Sequence, residues 1–176
     1  MKQQIHQLQL IYNPEEDRIL FRVNTNNHTE FCFWLTRRFV RRLFPGLQGV
    51  LENSGEASIW QDPSIKKAVL NFEHEAALMQ SDFNTPFQEE NLERPMGKSP
   101  ILITKAQLTP QGEHRHLLSL HPTSGVGIEM GMTSRMLHSF FDLLIKCIKQ
   151  TDWDLKSELS PSPQIIYPEL SKRKLH

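Results

Sequence analysis

The chain has 176 residues, 38% of them apolar, and 20 Lys+Arg balance 20 Asp+Glu. That is enough apolar material for one sizeable core, and zero net charge excludes a bulk-basic nucleic-acid binder while leaving room for a local basic patch. The longest apolar-rich run, residues 136–148, is too short for a bilayer and is broken by Asp142 and Lys146, so no membrane partner is expected.

The opening stretch MKQQIHQLQLIYNPEE has no apolar signal core, which points to the cytoplasm. Its residues 5–12 alternate with Leu8, Leu10 and Tyr12 on one face, and residues 17–24 alternate with Ile19, Phe21 and Val23. The turns NPEED and NTNNH separate these strands from a third, in which Phe31, Phe33 and Leu35 oppose Cys32 and Trp34. That strand is apolar on both faces and is expected to be covered on both. At Thr36 the period changes from two to 3.6, and its hydroxyl is placed to cap a helix carrying Phe39, Val40, Leu43 and Phe44. Pro45-Gly46 is expected to stop or kink that helix.

Asp62-Pro63 reads as an N-cap followed by proline at the first helical position. The helix behind it carries Ile65, Val69, Phe72, Ala76, Met79 and Phe83 at steps of four and three. Such a stripe belongs on the chain's own sheet or in a dimer seam, and the sheet is the expected place. Residues 84–100, with three prolines, read as a linker. Strands return at 101–108, 114–121 and 126–132, and a helix runs from Thr133 to about residue 152 behind a second threonine cap. The tail from Ser157 reads as extended or disordered, with Ile165, Ile166 and Tyr167 as its docking candidates.

Laying residues 17–44 over 114–141 at a constant offset of 97 puts Arg18 on Arg115, Leu20 on Leu117, Thr36 on Thr133, Arg38 on Arg135 and Phe44 on Phe141. The shared order, three strands, a threonine cap and a helix, predicts an α+β fold built from tandem pseudo-symmetric βββα repeats, antiparallel meanders packed by helices, with one extra inserted amphipathic helix. The expected division is 1–54 for the first half, 55–99 for the inserted acidic helix and linker, 100–154 for the second half and 155–176 for the tail, all in one compact domain. Charge is segregated: residues 52–93 are net −7 and residues 17–51 net +4.

Arg37 and Arg41 lie one helical turn apart, as do Arg38 and Arg42. Four guanidiniums on one short helix can hold phosphate or carboxylate, unless the acidic segment masks them. The second helix repeats only Arg38, as Arg135. His114 and His116 share a strand face and His121 takes the other. They are the only residues worth testing for catalysis, but no third ligand accompanies the pair, so no metal and no cofactor is expected. GVGIEMG lacks the dinucleotide spacing and reads as turn and strand glycines. Trp34, Trp60 and Trp153 sit in apolar runs and are expected to be buried, as are Cys32 and Cys147.

The segment DRILFRVNT…EFCFWLTRRFV, within residues 17–40, resembles stretches in small uncharacterised bacterial proteins and implies no activity. At the level of fold, tandem sheet-then-helix repeats are similar to the Whirly and Pur-type single-strand nucleic-acid binders, although those have four strands per repeat where three are read here. With no catalytic constellation, the sequence points to a non-enzymatic binding or assembly module, self-associating or bound to a protein partner. The alternative is a single-stranded nucleic-acid binder using the arginine helix with sheet aromatics.

Overall fold

The computed structural model describes residues 3–112 and 114–155. In chain order it runs β1 (Gln3–Asn13), β2 (Arg18–Thr25), β3 (Glu30–Thr36), α1 (Arg37–Glu52), a 3-10 turn (Glu56–Ile59), α2 (Pro63–Met79), β4 (Ile101–Pro110), β5 (Arg115–Pro122), β6 (Ile128–Thr133) and α3 (Ser134–Ile148). The fold is α+β, with six strands closed into a barrel in the order β1-β2-β3-β4-β5-β6. The tail with Ile165, Ile166 and Tyr167 lies outside the described residues.

Pairing is antiparallel within β1–β2–β3 and within β4–β5–β6. Two parallel seams close the barrel: Phe33 lies opposite Ile101 between β3 and β4, and Gln3 opposite Met130 between β1 and β6. Alternation fills the interior with Ile19, Phe21 and Val23 from β2, Phe31, Phe33 and Leu35 from β3, Leu118 and Leu120 from β5, and Ile128, Met130 and Met132 from β6. β1 changes parity at a bulge between Ile5 and Gln7, so Ile5 points inward and then Leu8, Leu10 and Tyr12 do; β4 does the same between Ile103 and Lys105. The outward side of β3 is only half-covered at Cys32 and Trp34, short of the expectation of two covered faces.

Both helices that follow a meander start as the sequence indicates. Thr36 Oγ1 accepts the Phe39 N–H and Thr133 Oγ1 accepts the Met136 N–H, each at 3.2 Å. Pro45 does not end α1, which continues to Glu52. Losing the proline's hydrogen bond costs about 3 kcal/mol. Burying Leu47 and Leu51 beyond it returns about 2 kcal/mol each. Phe140 of α3 meets Phe21 of the barrel interior with ring centroids 5.0 Å apart, and Phe44 of α1 stacks on Phe141 of α3 at 4.9 Å. Helices and barrel thus share one core.

Residues 84–100 contain no helix or strand, as expected of a linker, but they are strapped down across β1–β2–β3. Gln88 N–H donates to Gln7 Oε1 at 2.9 Å, Asn24 donates to the Gln88 carbonyl at 2.9 Å, and Gln7 donates to the Pro86 carbonyl at 3.0 Å. Glu30 N–H donates to the Glu93 carbonyl at 2.8 Å, and the Arg22 guanidinium lies 4.5 Å from the Phe87 ring centroid. At the centre, the fully buried Glu30 carboxylate takes Arg22 at 2.6 Å and Arg94 at 2.5 Å, and Arg22 also reaches Glu89 at 2.7 Å. Burial alone would raise the Glu30 pKa, but hydrogen bonds from Arg94 and Arg22 outweigh it and hold the carboxyl below its usual range.

Removing one member of a buried charge group leaves the others unpaired, so Glu30→Gln is expected to cost about 3 kcal/mol in urea denaturation. It should also accelerate amide exchange across residues 86–94. Wild-type stability with an unchanged strap would contradict this role for Glu30.

Candidate functional site

α2 has two faces. Leu70, His74 and Ala77 lie on its covered face, and the helix and the turn after it meet α3: His74 Nδ1 is 3.2 Å from His138 Nδ1, and Ser81, just past the helix end, has its Oγ 2.7 Å from Ser139 Oγ. The His74 ring also stands edge-on to Phe141. These residues are roughly half a turn from the apolar stripe, so docking on α3 turns the stripe outward. Phe72 is 71% exposed and Met79 89%; Ile65 and Phe83 are exposed, and Val69 and Ala76 half-buried. The expectation that the stripe lies on the chain's own sheet is not met. Small residues such as Ala77 and Ser81 let the helix approach α3 on the face with the weaker apolar signal.

The patch is wider than the stripe. The 3-10 turn packs beside α2, where the Glu56 N–H donates to Glu73 Oε1 at 2.7 Å. Its Ile59 and the following Trp60 are exposed. Trp60 is therefore a correction to the expected burial, while Trp153 is buried against Tyr12 and bonded to Asp17. Lys146 of α3 lies 5.2 Å from the Phe83 ring centroid and covers one end of the patch.

α1 presents Arg37, Arg38, Arg41 and Arg42 on its exposed side. Among the described residues Arg37, Arg38 and Arg42 form no ion pair, and the salt bridge from the acidic segment, through Glu89, goes to Arg22 instead. Arg38 and Arg42 line a cleft of about 280 Å³ together with Thr36, Phe39, Leu102, Ile103 and Thr104. Of the aromatics considered for stacking bases, Phe31, Phe33 and Trp153 are buried, Trp34 is half-exposed, and the exposed Trp60 lies beside α2 and not in the sheet.

The histidines separate. His114 and His121 are exposed and His116 is fully buried, with its Nε2 3.3 Å from Ser134 Oγ. The His121 ring lies over Gly127, where an added Cβ would collide with its Nδ1. Among the described residues no three metal-ligating side chains gather, and no helix is long and apolar enough to cross a membrane. Cys147 is buried and its thiol is pushed up to about 11 by burial; burial also raises Cys32, with Glu30 adding to it. Neither thiol is poised as a nucleophile.

The sequence reading missed the His74–His138 contact, because its members come from helices 64 residues apart. Burial, then the neighbouring His74 and His116, lowers the His138 pKa to about 4. Burial lowers His74 against the opposing pull of Asp142 and Glu75, with Lys146 adding to the lowering, and burial lowers His116. The two facing Nδ1 atoms need one donor and one lone pair, which two imidazolium rings cannot supply.

Comparison of the chain with protein-family models, curated proteins and solved structures returned no match. The candidate surfaces therefore stand on their own geometry.

Above pH 6.5 His138 is neutral in both folded and unfolded chains. Below it only the unfolded chain takes up the proton, until the folded pKa of about 4 is reached. Stability should therefore drop by about 2 kcal/mol between pH 7 and pH 5 from this residue. His138→Asn should remove most of that pH dependence in paired urea titrations. An equal slope in wild type and variant would show that His138 does not carry it.

Proposed function

We propose that this chain is a non-enzymatic, self-associating module, an internally duplicated βββα barrel in which α2 is an added helix that pairs with α2 of a second copy. The observation that carries the association is the outward stripe. Within α2, Ile65, Phe72 and Met79 are seven residues apart, and so are Val69 and Ala76, whereas Phe83 lies four residues past the end of the helix. That is the a/d spacing of a helix–helix seam, and Phe72 and Met79 are both largely exposed. Full burial of such side chains stabilises by about 2 kcal/mol each. A second copy is the occupant favoured here, because an antiparallel pairing centred on Phe72 sets the stripe against itself.

Support for the duplication comes from the barrel's register. The β3–β4 pair Phe33 and Ile101 becomes the β6–β1 pair Met130 and Gln3 when β3 is moved forward by 97 residues and β4 back by 98. The bulge at Ile5 and Gln7 has its counterpart at Ile103 and Lys105 under the same shift of 98. Thr36 and Thr133 cap their helices in the same way. Phe44 and Phe141, aligned at 97, stack on each other as residues flanking a twofold axis would.

Single-stranded nucleic acid is the weaker reading, since Phe31 and Phe33 lie in the core.

The test is light scattering coupled to size exclusion, from about micromolar to about millimolar chain. Wild type should be a dimer or higher oligomer at the upper end. Phe72→Asp with Met79→Asp should give a folded monomer, since both side chains are already in water in the isolated chain. A wild-type monomer throughout, or a double variant that associates like wild type, would overturn the reading.

A further inference from the structure

We propose that the cleft between α1 and β4 is a binding site for a small phosphate monoester, held by Arg38 and Arg42. The two arginines are one helical turn apart on α1, both are exposed, and neither has an ionic partner among the described residues. Both line the same cleft of about 280 Å³, and no carboxylate lines it with them. Two positive charges facing a concave surface without compensation draw an anion, and guanidinium forks favour one whose oxygens take paired hydrogen bonds.

The remaining lining narrows the ligand. Thr36 and Thr104 also line the cleft, and both carry hydroxyls. Thr36 Oγ1 accepts the Phe39 N–H, and its own proton remains available. The bonds of Thr104 to the His121 carbonyl and to Thr123 are both long, at 3.4 Å. Two guanidinium forks and two hydroxyls offer more donors than one carboxylate group readily uses, and a terminal phosphate can accept from all of them. Phe39 and the exposed Leu102 form an apolar wall beside the charged end, which suits a short apolar or planar group on the ester. The volume lies just below the usual range for small-molecule pockets, and this is too small for a polynucleotide.

The comparable point of α3 lacks the second arginine. Six residues after the Thr36 cap stands Arg42; six after the Thr133 cap stands Ser139, which is hydrogen-bonded to Ser81 and lies under α2. The open cleft therefore belongs to the side that α2 leaves uncovered, and its ligand does not compete with the α2 stripe.

Isothermal titration of the full chain with phenyl phosphate tests this. Saturable one-site binding is expected, weakened at least about tenfold by Arg38→Gln or Arg42→Gln, since each removes a charge-assisted hydrogen-bonding group. Leu102→Trp, which fills the cleft without touching charge, should weaken it too, and Arg37→Gln, outside the cleft, should not. No saturable binding would overturn the proposal. So would equal losses from Arg37→Gln and Arg42→Gln, which would mean diffuse attraction. Tighter binding of a single-stranded oligonucleotide that grows with its length would also overturn it, in favour of a nucleic-acid surface. Unchanged melting temperatures would show that the exposed arginine variants are folded.

Discussion

The parallel pairing of β3 with β4 constrains everything between them. Two parallel neighbours cannot be joined by a tight turn, so the chain must travel back along the barrel before β4 can begin. Residues 37–100 make that return. They do so in three pieces: α1 over β4, α2 against α3, and a strap lying across the outside of β1–β2–β3. The seam itself is short, with Phe33 and Trp34 facing Ile101 and Leu102. Its direction nevertheless decides which surfaces the crossover leaves in water.

Each piece of the crossover is fixed by different chemistry. α1 is held by its threonine cap and by apolar burial that carries it through Pro45. The strap is held by hydrogen bonds to Gln7 and Asn24 and by the charge group at Glu30, where a carboxylate with no access to water is matched by Arg22 and Arg94. α2 is held more lightly, through His74, Ala77 and Ser81, and keeps its larger apolar side chains outside. A helix that docks by its small residues and exposes its large ones leaves an uncovered apolar face, which the proposed pairing would bury. Arg38 and Arg42 of α1 stay exposed, while α2 leans on α3 and the acidic strap is engaged with Arg22.

Local pattern made much of this legible. The six strands follow from period-two alternation, and Thr36 and Thr133 mark the change of period at both helix starts. What local pattern could not resolve was the partner of each face. The stripe from Ile65 to Met79 is the stronger apolar signal on α2, yet its opposite face meets α3, because tertiary fit favours close approach over total apolar area. Glu30 looks like an ordinary solvent-facing strand residue until the strap, more than fifty residues later, buries it. The contact between His74 and His138 and the two seams are equally non-local. Pro45 reads as a stop or a kink, and α1 runs through it because Leu47 and Leu51 are buried beyond it.

The central claim, that the outward face of α2 is where one copy meets another, is tested most directly by amide hydrogen exchange over a dilution series. The expected result is exchange in residues 63–79 that slows as concentration rises, while β1–β6 and α1 keep the same rates at every concentration. Exchange in α2 that does not change with concentration, or slowing centred on another surface, would contradict it.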